Sequence, residues 1–573
     1  MFTKKNTFKS FFILVFFAFL FISPQIFQRS LIVANDWLFH MNRYYDTSMQ
    51  IQSGHFNYFQ SLFGFNQSGR IINALYGADF AYVAGFLLSL VKNWFHFELL
   101  LNFICFFTAG FTMYLLARYA KLQNKVALFC AILYMGTPLI VWWTTTQGFS
   151  GFGSAFLPLA FIPAVKMIRD PDDPIHPLFF GSTFALLISI HMFTTFLAFL
   201  AIVPFYVIAF FNSKNKKKML LNTFYSVLLA VCLSMNTFAA ILDLHSDTLI
   251  MPLDARNLYN GGMFLSLGSM NYNNFGLILS AIFLIQLVVT VSNWRSLLLL
   301  EKLVNVIGLL FLLISSKYFP WNHLTEYFPS LLSIQFLRRF SGITCVLLIL
   351  GFGFSIKHLY SAFSISTVKK GLIMTLSVIA LFNTTNGLQL IDKQAKIWDS
   401  KNPLSGDTSA ARPIESDPKI IREGLSSSNL SRAFEISEKP TPDYLPTNTN
   451  LKDGYATYYN EILQNKLDVK KEVTSDSKLK LTWNDKDNPK EEVLVPVIIY
   501  NNSTIELNGE KLQKKDYKLS EIGSLILKNN HQENQLIVGY SPSKFFQISL
   551  YIKALSLMYV FVCLLYKMKK KLK

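Results

Sequence analysis

The chain has 573 residues, of which 52% are hydrophobic, 15% aromatic and only 15% charged, and its formal net charge is +18. About a quarter of a soluble globular chain is charged, so this composition excludes an ordinary soluble enzyme and predicts a polytopic membrane protein. The positive charge does not point to nucleic acid. The basic residues gather in short loops and at the two ends (Lys4, Lys5, Lys9; Lys567, Lys569, Lys570, Lys571, Lys573), as an anionic inner membrane surface demands.

The first apolar run, 11–27, follows a basic start, and Pro24-Gln25-Ile26-Phe27 lacks the small residues of a cleavage site. It is read as an uncleaved first span that begins in the cytoplasm. Residues 29–97 then form a first outer loop, with Asp36-Trp37-Leu38-Phe39-His40-Met41-Asn42-Arg43 near its start. Asp36, His40 and Arg43 fall at i, i+4 and i+7, on one helical face, with Trp37, Met41 and Tyr44 on an adjacent apolar one. That spacing predicts an amphipathic helix in the membrane interface, aiming a carboxylate, a titratable ring and a fixed cation at one point. Each has a plainer reading: Asp36 as the N-cap of the helix, His40 as an interfacial aromatic, Arg43 as a partner of Asp36 or Asp46. The apolar stretch 80–91 is read as an interfacial helix, because a span there would put Arg118, Lys121 and Lys125 outside.

Further spans are expected near 98–117, 126–142, 154–167, 177–190, 194–211, 220–241, 274–292, 302–316, 340–360 and 371–385, with a last one at 548–566. The total is about twelve, with both termini cytoplasmic and every strongly basic short loop inside. Trp142 and Trp143 read as belt aromatics, and Gly351-Phe352-Gly353 as helix packing. His191 closes an outer span end, where it serves a substrate or simply bonds at the interface. Arg338 and Arg339 precede an inward span. Two adjacent outer cations run against the positive-inside bias, which favours a phosphate partner over a lipid headgroup. Asp243, His245 and Asp247 form an outer cluster, read as a solvated loop in preference to a metal site. The five cysteines (105, 130, 232, 345 and 563) lie in apolar runs without paired spacing and read as small core residues.

From 386 to 545 the chain turns polar. The part up to about 450 reads as loosely structured. Strand signals follow at 493–500, at 505–507 before the Asn508-Gly509 turn, and at 524–527 and 535–540. The expected organisation is a transmembrane module over 1–385, an extracytoplasmic linker and β-rich domain over 386–545, and a final helix with a basic cytoplasmic tail over 546–573. The expected location is the cell membrane.

Several stretches together resemble a known group. They are Asp36 to Arg43 with Gln52-Ser53-Gly54-His55-Phe56, Ile190-His191-Met192-Phe193-Thr194, Ile334-Gln335-Phe336-Leu337-Arg338-Arg339-Phe340, and the β-rich tail from Ile505 to Pro542. They resemble the GT-C membrane glycosyltransferases, and among them the bacterial 6-pyruvoyl-tetrahydropterin synthase-related and YfhO-type membrane proteins. Two departures stand out. Leu337-Arg338 replaces a Pro-Trp pair, and no acidic residue lies between Gln147 and Ser154. The resemblance implies a GT-C-like α-helical fold and transfer of a sugar from a polyprenyl-phosphate-linked donor to a cell-envelope glycan or lipid acceptor. In that reading Asp36 is the catalytic carboxylate, and His40, Arg43, His191, Arg338 and Arg339 bind substrate. Membrane lipids are the other partners, nucleic acid is not one, and no cofactor is fixed, although a divalent cation serves some such enzymes. Two alternatives remain: a transporter or flippase of lipid-linked sugars, and a non-catalytic envelope assembly protein.

Overall fold

Apolar runs in a lipid environment must satisfy their backbone internally, and every run expected to span is helical. The computed structural model describes residues 4–252, 254–255, 257–404, 412–447, 453–484, 492–528 and 533–572. The parts of the linker and β-rich expectation at 405–411, 448–452, 485–491 and 529–532 lie outside the described residues, as do the side chains of Lys4, Lys5 and Lys571 and all of Lys573.

Among the described residues, seven helices are long and apolar enough to cross a membrane: Phe8–Gln28, Trp94–Tyr119, Phe149–Arg169, Met192–Asn212, Leu337–Ala362, Ser366–Asp399 and Lys544–Lys570. Two more runs are bent pairs, Asn124–Met135 with Pro138–Thr146 (41°) and Lys216–Leu233 with Met235–Asp243 (60°), giving nine if each pair is one crossing. The expectation of about twelve is therefore not reached. Pro177–Ile190 and Gly276–Ser292 have 14 and 17 residues, short of the roughly 20 that cross a hydrocarbon core. Hydropathy summed along the chain also cannot see the break at Gly136-Thr137-Pro138. The stretch read as an interfacial helix is Ala78–Val91, a short apolar helix.

The chain divides into two compact units. The first comprises 1–34, 98–231 and 253–402, and the second 35–97, 232–252 and 403–573. In the first, the helix Ser341–Ala362 is buried all round from Ser341 to Gly351, as expected of an apolar helix at the centre of a bundle. Small residues admit its neighbours. A Cβ on Gly351 would stand 2.0 Å from Asn305 Oδ1, and one on Gly353 2.6 Å from Leu122 Cδ1, which is the packing role read from the sequence. Polar side chains bind the helices together: Gln286 donates to Asn305 Oδ1 (2.9 Å), and Ser355 donates to Gln286 Oε1 (3.1 Å). Trp142 and Trp143 are buried within the chain, 8% and 1% exposed, and do not form a lipid-facing belt. The five cysteines are free thiols, three of them buried.

In the second unit the helix Trp37–Ser53 ends at Gly54, whose left-handed φ of 77° closes the last turn. It is not an amphipathic helix with an open polar face. His40 and Arg43 are 1% and 0% exposed, as buried as Trp37 and Tyr44. Neighbours cover it on several sides: Ala78–Val91 approaches at Gly85, Trp94 packs on Trp37 at 5.5 Å between ring centroids, Phe97 on Tyr44 at 5.9 Å and Phe434 on Tyr45 at 5.1 Å.

The strand signals form two antiparallel sheets. One runs, in spatial order, Lys470–Val473, Leu479–Asn484, Glu533–Tyr540, Ser503–Leu507 and Glu510–Lys511; the other is Glu492–Ile498, Ser524–Lys528 and Lys518–Leu519. Alternate residues of both meet in one core, with Leu479, Leu481, Trp483, Leu536 and Val538 against Val493, Val495, Leu525 and Leu527. Asn508 and Gly509, at φ of 52° and 87°, make the two-residue turn. Pro496 sits where the register of its strand shifts, a place that tolerates a missing N–H.

The helix Lys544–Leu572 presents mostly exposed apolar side chains, with one charged anchor. Lys553 pairs with Asp79 at 2.5 Å and donates to Asn236 Oδ1 at 3.1 Å, while Asn236 donates to the Tyr58 hydroxyl at 2.9 Å. A charge on a spanning helix persists where it is paired. Asp79→Ala is expected to strand the ammonium at a cost of roughly 1–3 kcal/mol. The purified protein should melt several degrees lower, and Asp79→Ala/Lys553→Met should recover most of the loss. Equal melting of Asp79→Ala and wild type would remove the pair as an anchor.

Candidate functional site

Asp36 stands at the N-terminus of the helix Trp37–Ser53, but its side chain makes no capping hydrogen bond. Its Oδ1 instead accepts from Lys439 Nζ at 3.0 Å, and the same ammonium donates to the Asn35 carbonyl. The Asp36 side chain is 48% exposed and that of Lys439 15%. Among the described residues Oδ2 of Asp36 takes no hydrogen bond, so half of the carboxylate faces outward. Asp443 lies within electrostatic reach of Asp36, Lys439 and Arg70, and burial raises its carboxyl above the ordinary range. Arg70 also donates to the Asp443 carbonyl at 2.6 Å. Two carboxylates and two cations thus come together, and of these only Asp36 was singled out from the sequence. Lys439 and Asp443 lie some four hundred positions away in a stretch without periodicity, where no local signal points to them.

His40 and Arg43 face inward. Arg43 donates to Asn73 Oδ1 (3.0 Å), the Tyr76 carbonyl (2.8 Å) and His40 Nδ1 (3.1 Å), and its guanidinium lies 4.6 Å from the centre of the Tyr76 ring. With Nδ1 accepting, the His40 proton sits on Nε2. In this geometry Arg43 binds the turn that leads into Ala78–Val91, and it forms no ion pair with Asp36 or Asp46. Asp46 organises a second loop: Oδ1 accepts from the Phe63 and Gly64 amides (2.8 and 3.1 Å) and Oδ2 from Gln50 (2.8 Å). Burial outweighs these bonds and pushes its carboxyl up to about 6.

The other unit holds His191, Arg338 and Arg339. Arg338 donates to Asn273 Oδ1 at 2.9 Å, and its guanidinium lies 4.2 Å from the ring centres of both Trp142 and Phe336. Its Nε is buried without a hydrogen-bond partner, and no carboxylate pairs with it among the described residues. Arg339 donates to the Ile334 carbonyl (3.1 Å) and Gln335 Oε1 (2.7 Å) and lies over Phe193. His191 caps the helix Met192–Asn212, its Nδ1 accepting from the Thr194 amide at 3.2 Å. Burial and the Arg339 charge push its pKa down to about 3, so the ring is neutral and holds its proton on Nε2. The fold therefore gathers these three residues around aromatic faces. Asn273 and Trp142 complete the group, and sequence reasoning missed both as partners of an arginine.

Gln147, in the stretch that lacks an acidic residue, holds backbone instead: its side chain accepts from the Ala34 amide (3.2 Å) and donates to the Ile32 carbonyl (2.9 Å). Glu98 accepts from the Ile32 amide (3.0 Å) and from Gln25 (2.5 Å). Asp243 and Asp247 bond backbone amides, Asp243 that of Ser543 (3.2 Å) and Asp247 that of Asn501 (2.8 Å). Among the described residues no group of three or more His, Cys, Asp or Glu side chains is placed to hold a metal ion. Asp36, paired with an ammonium, does not fit a divalent-cation site, and no step is assigned to one.

No protein-family model matches the chain, and no curated protein matches its sequence. Among solved structures, the oligosaccharyltransferase of Archaeoglobus fulgidus in its apo form superposes with a TM-score of 0.39 at 11% identity. The overlap covers 67% of this chain and 56% of that one. A likeness this loose carries no weight for activity.

The raised carboxyl of Asp46 has a pH signature. A group whose folded pKa lies above its unfolded value of 3.8 favours folding below that value, and the contribution is lost as pH climbs through about 6. The melting temperature of wild type relative to Asp46→Asn should fall between pH 4 and about 6.5 and then level off. A difference that stays constant across that range would contradict the burial of this carboxyl.

Proposed function

We propose that the protein is a membrane glycosyltransferase that moves a sugar from a polyprenyl-phosphate donor to a cell-envelope acceptor outside the cytoplasm. The observation that carries this reading is the Arg338 guanidinium. It lies 4.2 Å from the centres of two mutually perpendicular aromatic rings, beside Arg339, with Asn273 as its hydrogen-bond partner and no carboxylate among the described residues to balance it. Such a pair suits the phosphate of a lipid carrier, whose oxygens accept charge-assisted bonds as it leaves. Neutral His191 supplies a hydrogen-bond donor at Nε2. Asp36 takes the role of base: the acceptor hydroxyl oxygen bonds to the anomeric carbon, the bond from that carbon to the phosphate oxygen breaks, and the hydroxyl proton passes to the carboxylate. His40 and Arg43 support this helix from within. In this reading both termini are cytoplasmic and Asp36 and the β-rich region lie outside, as the basic loops favour.

The test is mass analysis of envelope glycans and lipid-linked sugars in cells that make wild type or single variants at equal levels. Asp36→Asn should reduce transfer by about 100-fold or more. Arg338→Ala should reduce it by roughly 10- to 1,000-fold, with the lipid-linked donor accumulating. Undiminished transfer by Asp36→Asn removes the base, and undiminished transfer by Arg338→Ala removes the phosphate site.

A further inference from the structure

The unit that contains Asp36 also contains a cavity of about 420 Å³, within the range of roughly 300–1,000 Å³ typical of small-ligand sites. Tyr45 and Phe434 form one wall, with ring centroids 5.1 Å apart. Asn42, Asn465, Glu435 and Lys471 supply polar groups. Lys471 donates to the carbonyls of Asn66 (2.6 Å) and Pro496 (3.2 Å). An ammonium has three N–H bonds, so one remains for a ligand. Glu435 is held by Arg432 (2.8 Å) and Ser431 (3.2 Å) and keeps further lone pairs. Asn42 and Phe434 line a second, smaller pocket as well, and that pocket includes Lys439. That second pocket holds only about 20 Å³, so the space for a ligand is the larger cavity, and Lys439, which pairs with Asp36, lies on the neighbouring lining.

We propose that this cavity binds the acceptor, and that the acceptor is a neutral, hydroxyl-rich glycan. The proposal rests on the transferase reading and adds the acceptor's chemical class and its binding surface to it. A sugar ring presents an apolar C–H face and a rim of hydroxyls that donate and accept. Tyr45 and Phe434 match the face. Lys471 and Glu435 match the rim, one as donor and one as acceptor. The cavity's lining carries one cation, Lys471, and one anion, Glu435, so it has no net charge that would select a polyanion. Tyr45, in the cavity wall, belongs to the helix Trp37–Ser53 whose N-terminus carries Asp36.

The test uses the full-length protein in lipid nanodiscs, free of glycoside detergents. The probes are the methyl glycosides of glucose, galactose and N-acetylglucosamine, with glycerol phosphate as competitor, read by saturation-transfer NMR. At least one glycoside should receive saturation from wild type. Tyr45→Ala and Phe434→Ala should each weaken binding about tenfold, whereas Tyr45→Phe, which keeps the ring, should bind normally. Unchanged melting temperatures show that the alanine variants fold. No signal from any glycoside, an equal signal in the alanine variants, or displacement by glycerol phosphate at lower concentration than by any glycoside would each overturn the proposal. The two readings fail separately. If Asp36→Asn abolishes transfer while the glycosides ignore Tyr45, the acceptor site is wrong and the transferase stands. If the glycosides require Tyr45 but Asp36→Asn transfers normally, the acceptor site stands and the base is wrong.

Discussion

A guanidinium does not give up its charge at neutral pH, so every arginine that this chain takes out of water must be surrounded by acceptors, aromatic faces or an anion. That constraint separates the arginines singled out in the sequence. Arg43 is supplied by its own unit, with an amide oxygen, a backbone carbonyl, an imidazole nitrogen and a tyrosine ring. Arg338 lies against two aromatic rings and has one side-chain acceptor. The first arrangement closes a turn. The second leaves electrostatic demand that a phosphate can meet.

The same economy governs the carboxylates. Glu98, Asp46 and Asp243 spend their oxygens on backbone amides, fixing extended or looped chain where no helix or strand can do so. Asp36 is bonded at one oxygen to Lys439 and open at the other. Cation pairing is shared by other exposed carboxylates, such as Glu435 with Arg432 and Glu492 with Lys518; Asp36 adds to it a place at the N-terminus of the buried helix Trp37–Ser53.

Much of the architecture could be read along the chain, because its signals are local. Long apolar runs became helices, Asn508-Gly509 became the turn, and the short apolar runs at 493–500 and 535–540 became strands. What failed were inferences that needed neighbours. A run of apolar residues does not reveal a 60° bend near Ser234. The i, i+4, i+7 spacing of Asp36, His40 and Arg43 correctly gave a helix. Spacing alone could not tell an outward face from one covered by Ala78–Val91, Trp94 and Phe97. The neighbours of Asp36 come from the other end of the sequence, Lys439 and Asp443, where their types and spacing say nothing.

The helix Trp37–Ser53 shows how these points combine. Its inward side is fixed by Arg43 and His40, its far end by Asp46 holding the Phe63 and Gly64 amides, and its flank by Tyr45 against Phe434. Each of these contacts costs side-chain entropy, and together they hold Asp36 and Tyr45 on a rigid element instead of a mobile loop. A carboxylate that must meet a hydroxyl within hydrogen-bond reach gains from that rigidity, because positional error at the reacting atoms is paid for in rate. The buried polar residues of this helix therefore need not touch a substrate to matter. In the proposed reading their work is to keep one outward carboxylate and one aromatic face in fixed relation, about two and a half helical turns apart along the same element.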